Sequence, residues 1–323
     1  MPPPASSPRK PCLSDGHSRR RSFLKATAAA LLGLILAGAP LLAATGQPAP
    51  RPGLRFGIIT DVHYSEALPA KGKFYRESLR KMREAVDRFR AEKVSFVVEL
   101  GDFKDRVAGE PEAKTLTYLT MIEREFRRFG GPTYHVLGNH DMDALSKTQV
   151  LGKLTNTGIP AGKSYYAFST GGVRFVVLDS TFTKDGQDYD HDNFDWRDSN
   201  IPSSEIAWLR EELNKSKEPV IVFVHHRLDG DGDMQIANRA EIRALLESSG
   251  KVLAVFQGHE HKGAYTKIND IHYYTLRAVV DSSGLEANSF AIVEVHPNRD
   301  VTVVGYRRAV SIEMPYTPPP DYS

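Results

Sequence analysis

Short apolar runs alternating with helix-like segments, a switch to closely spaced strand-like runs in the C-terminal third, and a polar cluster at the end of five apolar runs predict an α/β protein with mixed sheets. The first run, 54–60, is followed by residues 74–92, where Leu79, Met82, Val86 and Phe89 share one helical face. Residues 94–100 read as the next strand, and Leu116, Leu119, Ile122, Phe126 and Phe129 stripe the next helix. Residues 133–137, 173–179, 220–225 and 252–257 are short runs rich in β-branched and aromatic side chains, which suit a buried pleated surface. Helix-like segments separate the last three: 203–214, with Ile206, Leu209 and Leu213 in phase, and 238–247, with Ile242, Leu245 and Leu246. The runs 263–267, 272–276, 289–295 and 301–306 then follow without helical patterns between them, which reads as hairpin-like pairing. Residues 309–323 are Pro-rich and read as a loose tail.

Composition narrows the class. At 323 residues, 41% hydrophobic and 25% charged, the chain is neither disordered, collagen-like nor disulfide-stapled, and is long enough for a large core. Residues 1–46 hold Arg9, Lys10, Arg19, Arg20, Arg21 and Lys25 against Asp15, a local +5 within a whole-chain +2, so the remainder carries −3. A broad basic footprint for nucleic acid is therefore not expected on the folded part.

The basic segment is followed by an uncharged apolar stretch, 26–42, and then by small residues, the pattern of an export signal. The run Arg20-Arg21-Ser22-Phe23-Leu24-Lys25 fits the twin-arginine type, which implies export by the Tat translocase to the periplasm or beyond. The apolar stretch is short for a membrane span and contains Pro40, Gly33 and Gly38, so cleavage rather than stable anchoring is expected. The single cysteine, Cys12, lies in this leader. The chain thus divides into a signal peptide 1–46, a linker 47–53, one domain 54–308 and the tail 309–323.

The informative residues lie where the apolar runs end. These ends read Asp61-Val62-His63, Gly101-Asp102-Phe103-Lys104-Asp105, Gly138-Asn139-His140-Asp141, His225-His226 and Gly258-His259-Glu260-His261. Sites in open α/β sheets form at the carboxyl ends of strands, so the five clusters are expected to converge on one rim. With 25 Gly and 11 His, a Gly-His-x-His run is expected by chance only about 0.03 times. Carboxylate and imidazole without thiolate suit Mn²⁺, Fe or Zn²⁺. A strand shows alternate faces, so only one of His225 and His226 can reach the rim.

Across residues 54–306 these five blocks resemble the calcineurin-like metallophosphoesterase superfamily. The resemblance implies a four-layer α/β/β/α sandwich with two mixed β-sheets and two metal ions. It implies that Asp61, His63 and His261 hold one metal, that Asn139, His225 and His259 hold the other, and that Asp102 bridges them. It favours His225 over His226. His140 would stand beside the metals as the acid, oriented by Asp141. Two close dications repel, which makes a shared carboxylate the natural bridge, and a water between them becomes acidic enough to attack phosphorus. Some proteins of this fold are non-catalytic scaffolds that commonly lack the third-block histidine; its presence here as His140 points to an enzyme.

Other features are read more plainly. Asp105 occupies the position where the purple acid phosphatase branch has a tyrosine ligand, which disfavours an iron–tyrosinate centre. Arg227 is expected either on a phosphate oxygen or in solvent. Asp229-Gly230-Asp231-Gly232-Asp233 resembles a calcium loop but has Met234 and Ala240 where Gly and Glu belong, so it reads as a solvated acidic turn. His135, His191, His272 and His296 lie outside the motifs and read as ordinary. Residues 185–200 combine six acids with Tyr189, Phe194 and Trp196, either as a loop pinned by its aromatics or as an aromatic shelf for a base or sugar. Asp61-Val62-His63-Tyr64 followed by Phe74-Tyr75-Arg76-Glu77-Ser78-Leu79 partly resembles the manganese-dependent ADP-ribose/CDP-alcohol diphosphatase branch. That branch raises nucleotide diphosphates as substrates; secreted phosphomonoesterases and cyclic-nucleotide phosphodiesterases share the same blocks.

Overall fold

Strand β1 (Leu54–Ile59) sends Phe56 and Ile58 to one side, and Gly57 and Ile59 to the other, the alternation that a central strand imposes. A Cβ on Gly57 would stand 2.7 Å from the Phe89 ring, so glycine lets helix α1 (Ser78–Ala91) lie flat on the strand. Strands β2 (Val97–Glu99) and β3 (Thr133–His135) extend this sheet in parallel, with α2 (Glu112–Phe126) between them in sequence. The computed structural model describes residues 53–318. The expected signal peptide 1–46, all of the linker except Gly53, and the tail end 319–323 lie outside the described residues.

After the short α3 (Lys147–Leu151), the chain builds a second sheet from β4 (Tyr166–Thr170), β5 (Val173–Val177), β6 (Val220–Phe223), β7 (Val252–Gln257), β8 (Ala264–Ile268) and β9 (Ile271–Thr275), with α4 (Ser203–Lys215) and α5 (Arg239–Ser248) as crossovers. It then returns to the first sheet through β10 (Ser289–Val295), β11 (Val301–Arg307) and β12 (Ile312–Met314). The sheet orders are β12-β11-β10-β1-β2-β3 and β4-β5-β6-β7-β9-β8. Each mixes parallel and antiparallel pairs. Phe56, Phe96, Phe175, Phe223 and Phe256 fill the space between the sheets, with Phe56 stacked on Phe96 at 4.9 Å. Met82, Val86 and Phe89 of α1 and Leu119, Ile122 and Phe126 of α2 cover the outer face of the first sheet. Ile206, Leu209, Leu213, Ile242 and Leu246 cover that of the second. The result is the expected four-layer α/β/β/α sandwich.

Three elements depart from the sequence reading. β4 and α3 carry too few periodic residues to stand out, being five residues each. The tail is not loose where it is described. Ile312–Met314 pairs antiparallel with β11, and Ala309 and Met314 are buried in the inter-sheet core, a three-residue strand that the surrounding prolines mask. Among the described residues no helix is long and apolar enough to cross a membrane.

The parallel strands fix where chemistry can occur. β1, β2 and β3 run the same way, as do β5, β6, β7 and β9, so their carboxyl ends share an edge in each sheet. The loops that leave those ends hold all nine site residues expected from the sequence.

Candidate metal centre

The backbone at this rim is strained to bring polar side chains together. Asp61, His63, Asp102 and His259 all have positive φ, at 51°, 46°, 59° and 67°, a conformation costly for residues with a Cβ. Two glycines allow the loops to meet. A Cβ on Gly138 would lie 2.2 Å from the Asp102 amide nitrogen, and one on Gly258 would lie 2.2 Å from Thr60 Oγ1.

Two sets of donors form around one carboxylate. In the first, Asp61 Oδ1 stands 3.8 Å from His63 Nε2 and 3.5 Å from His261 Nε2, and the two histidine nitrogens are 3.2 Å apart. In the second, Asp102 Oδ2 lies 3.2 Å from His225 Nε2, with His259 completing a tight group. The same Oδ2 is 3.5 Å from His63 Nε2, so Asp102 faces both sets. Asp61 Oδ1, Asn139 Oδ1, His225 Nε2 and His259 Nε2 are all buried without a hydrogen-bond partner. Buried polar atoms are ordinarily satisfied; those of Asp61, His225 and His259 fall within the two donor groups, and Asn139 stands on the loop that carries His140. Oxygen and imidazole donors in two groups sharing a carboxylate fit two divalent ions.

Three of the four imidazoles are held by a second contact. His225 Nδ1 donates to Leu100 O at 2.8 Å, His261 Nδ1 faces Asp281 Oδ1 at 2.9 Å, and His63 Nδ1 faces Asp105 Oδ2 at 3.3 Å. Such contacts fix the ring and direct the other nitrogen toward the centre. Sequence reasoning missed Asp281 and gave Asp105 no role of this kind. Asp281 follows only the three apolar residues 278–280, a weaker signal than the run that Asp61 ends.

The expected pairing of His140 with Asp141 is corrected. Asp141 accepts backbone N–H groups from Gly138, Phe103 and Asp102 at 2.8, 3.0 and 3.2 Å. It closes a short helical turn at Asn139–Met142 and is turned away from the ring. His140 Nδ1 instead faces Asp105 Oδ1 at 3.4 Å and Asp143 Oδ2 at 3.8 Å. Its own backbone N–H donates to Asp102 Oδ1 at 2.7 Å, and buried Lys104 donates to its carbonyl at 2.7 Å. The side chain remains one-third exposed, the accessibility an acid needs. Asp105 thus uses one oxygen on His63 and the other on His140.

Charge states suit ligation. Burial drives His63 and His259 well below the ordinary histidine value, so their lone pairs are free. Burial opposes ionisation of Asp61 and Asp102, but the neighbouring imidazoles hold both below the usual carboxylate range. His225, against burial, is raised to about 9 by Asp102, so a cation there displaces a proton. His140, also against burial, is pushed well above the ordinary value by Asp102 and Asp105, which favours its protonated form.

The remaining candidates sort by their contacts. His226 is fully buried, with Nδ1 2.8 Å from Ser180 Oγ and its ring 4.4 Å from that of His259. His225, not His226, approaches Asp102. Arg227 forks onto Asp229 at 3.1 and 2.9 Å and is committed there. Asp229 also accepts from Gln257 and Thr266, which leaves it no coordination role in a calcium loop. In residues 185–200, Tyr189 and Phe194 stack at 3.9 Å and pin the loop, while Trp196 stays exposed with its ring 5.9 Å from His259. The loop is thus pinned by two of its aromatics, and Trp196 stands apart from them. His191 pairs with Glu112, and His272 with Tyr265 and Pro315. His135 lies buried 3.0 Å from Glu123, behind the rim.

Comparison with known proteins agrees with this geometry. The family model described as calcineurin-like phosphoesterase matches residues 54–263. A manganese-dependent ADP-ribose/CDP-alcohol diphosphatase from Oryza sativa subsp. japonica is 26% identical, over 83% of this chain and 95% of its own length. The protein of the same name from Arabidopsis thaliana is 25% identical, over 83% and 99%. The crystal structure of a dimetal phosphatase from Danio rerio superposes with a TM-score of 0.72 at 22% identity, covering 82% of this chain and all of that one.

Proposed function

Because the chain belongs to the calcineurin-like phosphoesterase family and is a metal-dependent phosphoester hydrolase, we propose that it cleaves the diphosphate linkage of nucleotide-type small molecules such as ADP-ribose or CDP-alcohols. The observation that carries the substrate reading is Trp196, an exposed indole 5.9 Å from a candidate metal ligand, where a base can stack as phosphorus reaches the rim. Relatives spanning most of the chain bear the matching activity in their names.

In this reading Asp61, His63 and His261 hold one ion, Asn139, His225 and His259 hold a second, and Asp102 serves both. Manganese is the first choice, since the relatives are named as manganese-dependent. Bound ions supply Lewis acidity toward phosphate oxygens and lower the pKa of water. The chain supplies the rest. Asp105, Asp281 and the Leu100 carbonyl keep three rings aimed at the centre. Lys104 and the carboxylate of Asp102 hold the His140 backbone. As water adds to phosphorus and the P–O bond to the leaving group breaks, protonated His140, opposite Asp105, gives its proton to the departing oxygen and is itself left neutral. We also keep export through the twin-arginine route as part of the proposal, on the strength of Arg20-Arg21 and the apolar stretch after them.

The test is a metal-reconstituted hydrolysis panel of ADP-ribose, CDP-choline, p-nitrophenyl phosphate, its bis-ester and 3′,5′-cAMP. Highest kcat/KM on the two diphosphates, lowered by Trp196→Ala through KM, supports the proposal. Turnover confined to the monoester or to the cyclic nucleotide overturns the substrate class and favours a phosphomonoesterase or phosphodiesterase.

A further inference from the structure

Beside His261 of the first donor set, whereas Trp196 stands by His259 of the second, the rim opens into a cavity of about 600 Å³ lined by Lys71, Lys262, Arg277, Arg308 and Asp281. Four cations face one carboxylate, and that carboxylate is already engaged. Asp281 Oδ1 holds His261 Nδ1 at 2.9 Å, and its Oδ2 lies 3.9 Å from Arg308. Among the described residues Lys71, Lys262 and Arg277 have no carboxylate within 4.0 Å. A chain whose sequence beyond residue 46 carries a formal −3 has gathered unneutralised positive charge at one place, at the edge of its metal centre.

The walls of this cavity are built. Arg308 donates to the Asp281 carbonyl at 2.9 Å. Buried Lys81 donates to the carbonyls of Val279 and Ser282 at 2.7 and 2.8 Å and fixes the 279–282 segment from behind. Gly263, at φ +70°, leaves room for Arg277: a Cβ there would stand 2.7 Å from Arg277 Cγ. The Ala278 amide donates to the His261 carbonyl at 3.1 Å and ties the segment bearing Arg277, just after β9, to the metal-site loop.

We propose that this cavity is a subsite for a second phosphoryl group of the substrate, the one adjacent to the phosphoryl under attack. The inference rests on the diphosphate reading above and adds to it an orientation. His261 belongs both to the metal cluster and to the cavity wall, so a group here is one link from the rim. Two neighbouring anions are what a diphosphate presents. Guanidinium and ammonium donors match the oxygens of the non-attacked one, and the base then lies toward Trp196.

Binding of ADP and AMP, which differ by that one phosphate, decides the matter. Both are titrated calorimetrically into the manganese-supplemented full chain at fixed free metal. A second phosphate also binds metal, so the readout is the loss of preference in the variants. Arg277→Ala and Lys262→Ala should each weaken ADP by about 10-fold or more, in line with loss of a charge-assisted contact, while AMP changes less than about twofold. Arg277→Lys should recover part of the loss. Lys262 is exposed, so its variant keeps the test open if Arg277→Ala folds poorly. Equal weakening of ADP and AMP, or no effect on ADP, overturns the subsite. If ADP-ribose is not hydrolysed but the ADP preference and its loss in the variants persist, the diphosphatase reading fails and the subsite stands.

Discussion

Replacing His140 with alanine separates chemistry from metal binding. The substitution deletes the ring and its approaches of 3.4 Å to Asp105 and 3.8 Å to Asp143. It leaves the backbone N–H on Asp102 Oδ1, because that contact is main chain. Asp105 still holds His63 through its other oxygen, 3.3 Å from Nδ1. Metal content should therefore be unchanged. Turnover of an alkyl phosphoester should fall about 10²–10⁴-fold, the usual contribution of a positioned proton donor, or about 3–5 kcal/mol of barrier. The defect should follow the leaving group. An alkoxide or ribosyl leaving group needs the proton as the bond breaks, whereas p-nitrophenolate is stable without it. Steady-state rates on an alkyl phosphoester and a p-nitrophenyl ester, with metal analysis of the same preparations, supply the test. An equal loss on both esters refutes proton donation and leaves only charge stabilisation. Loss of a metal ion refutes the placement of His140 outside the ligand set.

Other expectations follow from the same geometry. Asp141→Asn should lower the melting temperature and weaken metal binding with no leaving-group dependence, because Asp141 holds three backbone N–H groups rather than the His140 ring; removing such an acceptor costs about 1–3 kcal/mol, and calorimetry with metal analysis reads both effects. Burial raises Glu99 to about 8, and His135 is raised to about 9, against burial, by Glu123 and Glu99. Both folded values exceed the unfolded ones, so the stability tied to these protons is complete below about pH 4.5 and is lost as pH climbs through 8 to 9. Glu99→Gln keeps an acceptor for the Gly101 N–H and cannot ionise, so it should flatten the fall in melting temperature from pH 5 to 9; an unchanged slope excludes this account. Arg20→Lys with Arg21→Lys should leave the precursor inside the cell, as read by fractionation, and undiminished export of that double variant contradicts the twin-arginine reading.

Much of this was legible because the informative residues are local in sequence. A strand ends, the chain turns, and the ligand stands within three residues of the turn, as at Asp61, Asp102, Asn139 and His259. The α/β class with mixed sheets followed from the order of apolar runs, and the four layers from the resemblance. What eluded the sequence depends on contacts between distant segments. Asp141 looks like the partner of His140 because it is adjacent, yet its oxygens are claimed by amides from the Asp102 loop nearly forty residues earlier in the chain. Asp281 reaches His261 across 20 residues, and nothing in its immediate surroundings announces a histidine. Strand β12 is three residues among prolines, and pairing with β11 alone defines it. The double use of Asp105, on His63 and on His140, exists only once two loops have met.

The central claim is that two cations share Asp102, and metal titration tests it most directly. Apo-protein given manganese should bind two equivalents per chain, with hydrolysis appearing as the second is taken up. Asp102→Asn removes the charge that faces both donor sets, at 3.2 Å from His225 and 3.5 Å from His63, and should lose at least one equivalent together with nearly all turnover. Two equivalents bound at full activity in that variant, or wild-type activity that survives complete metal removal, contradicts the account.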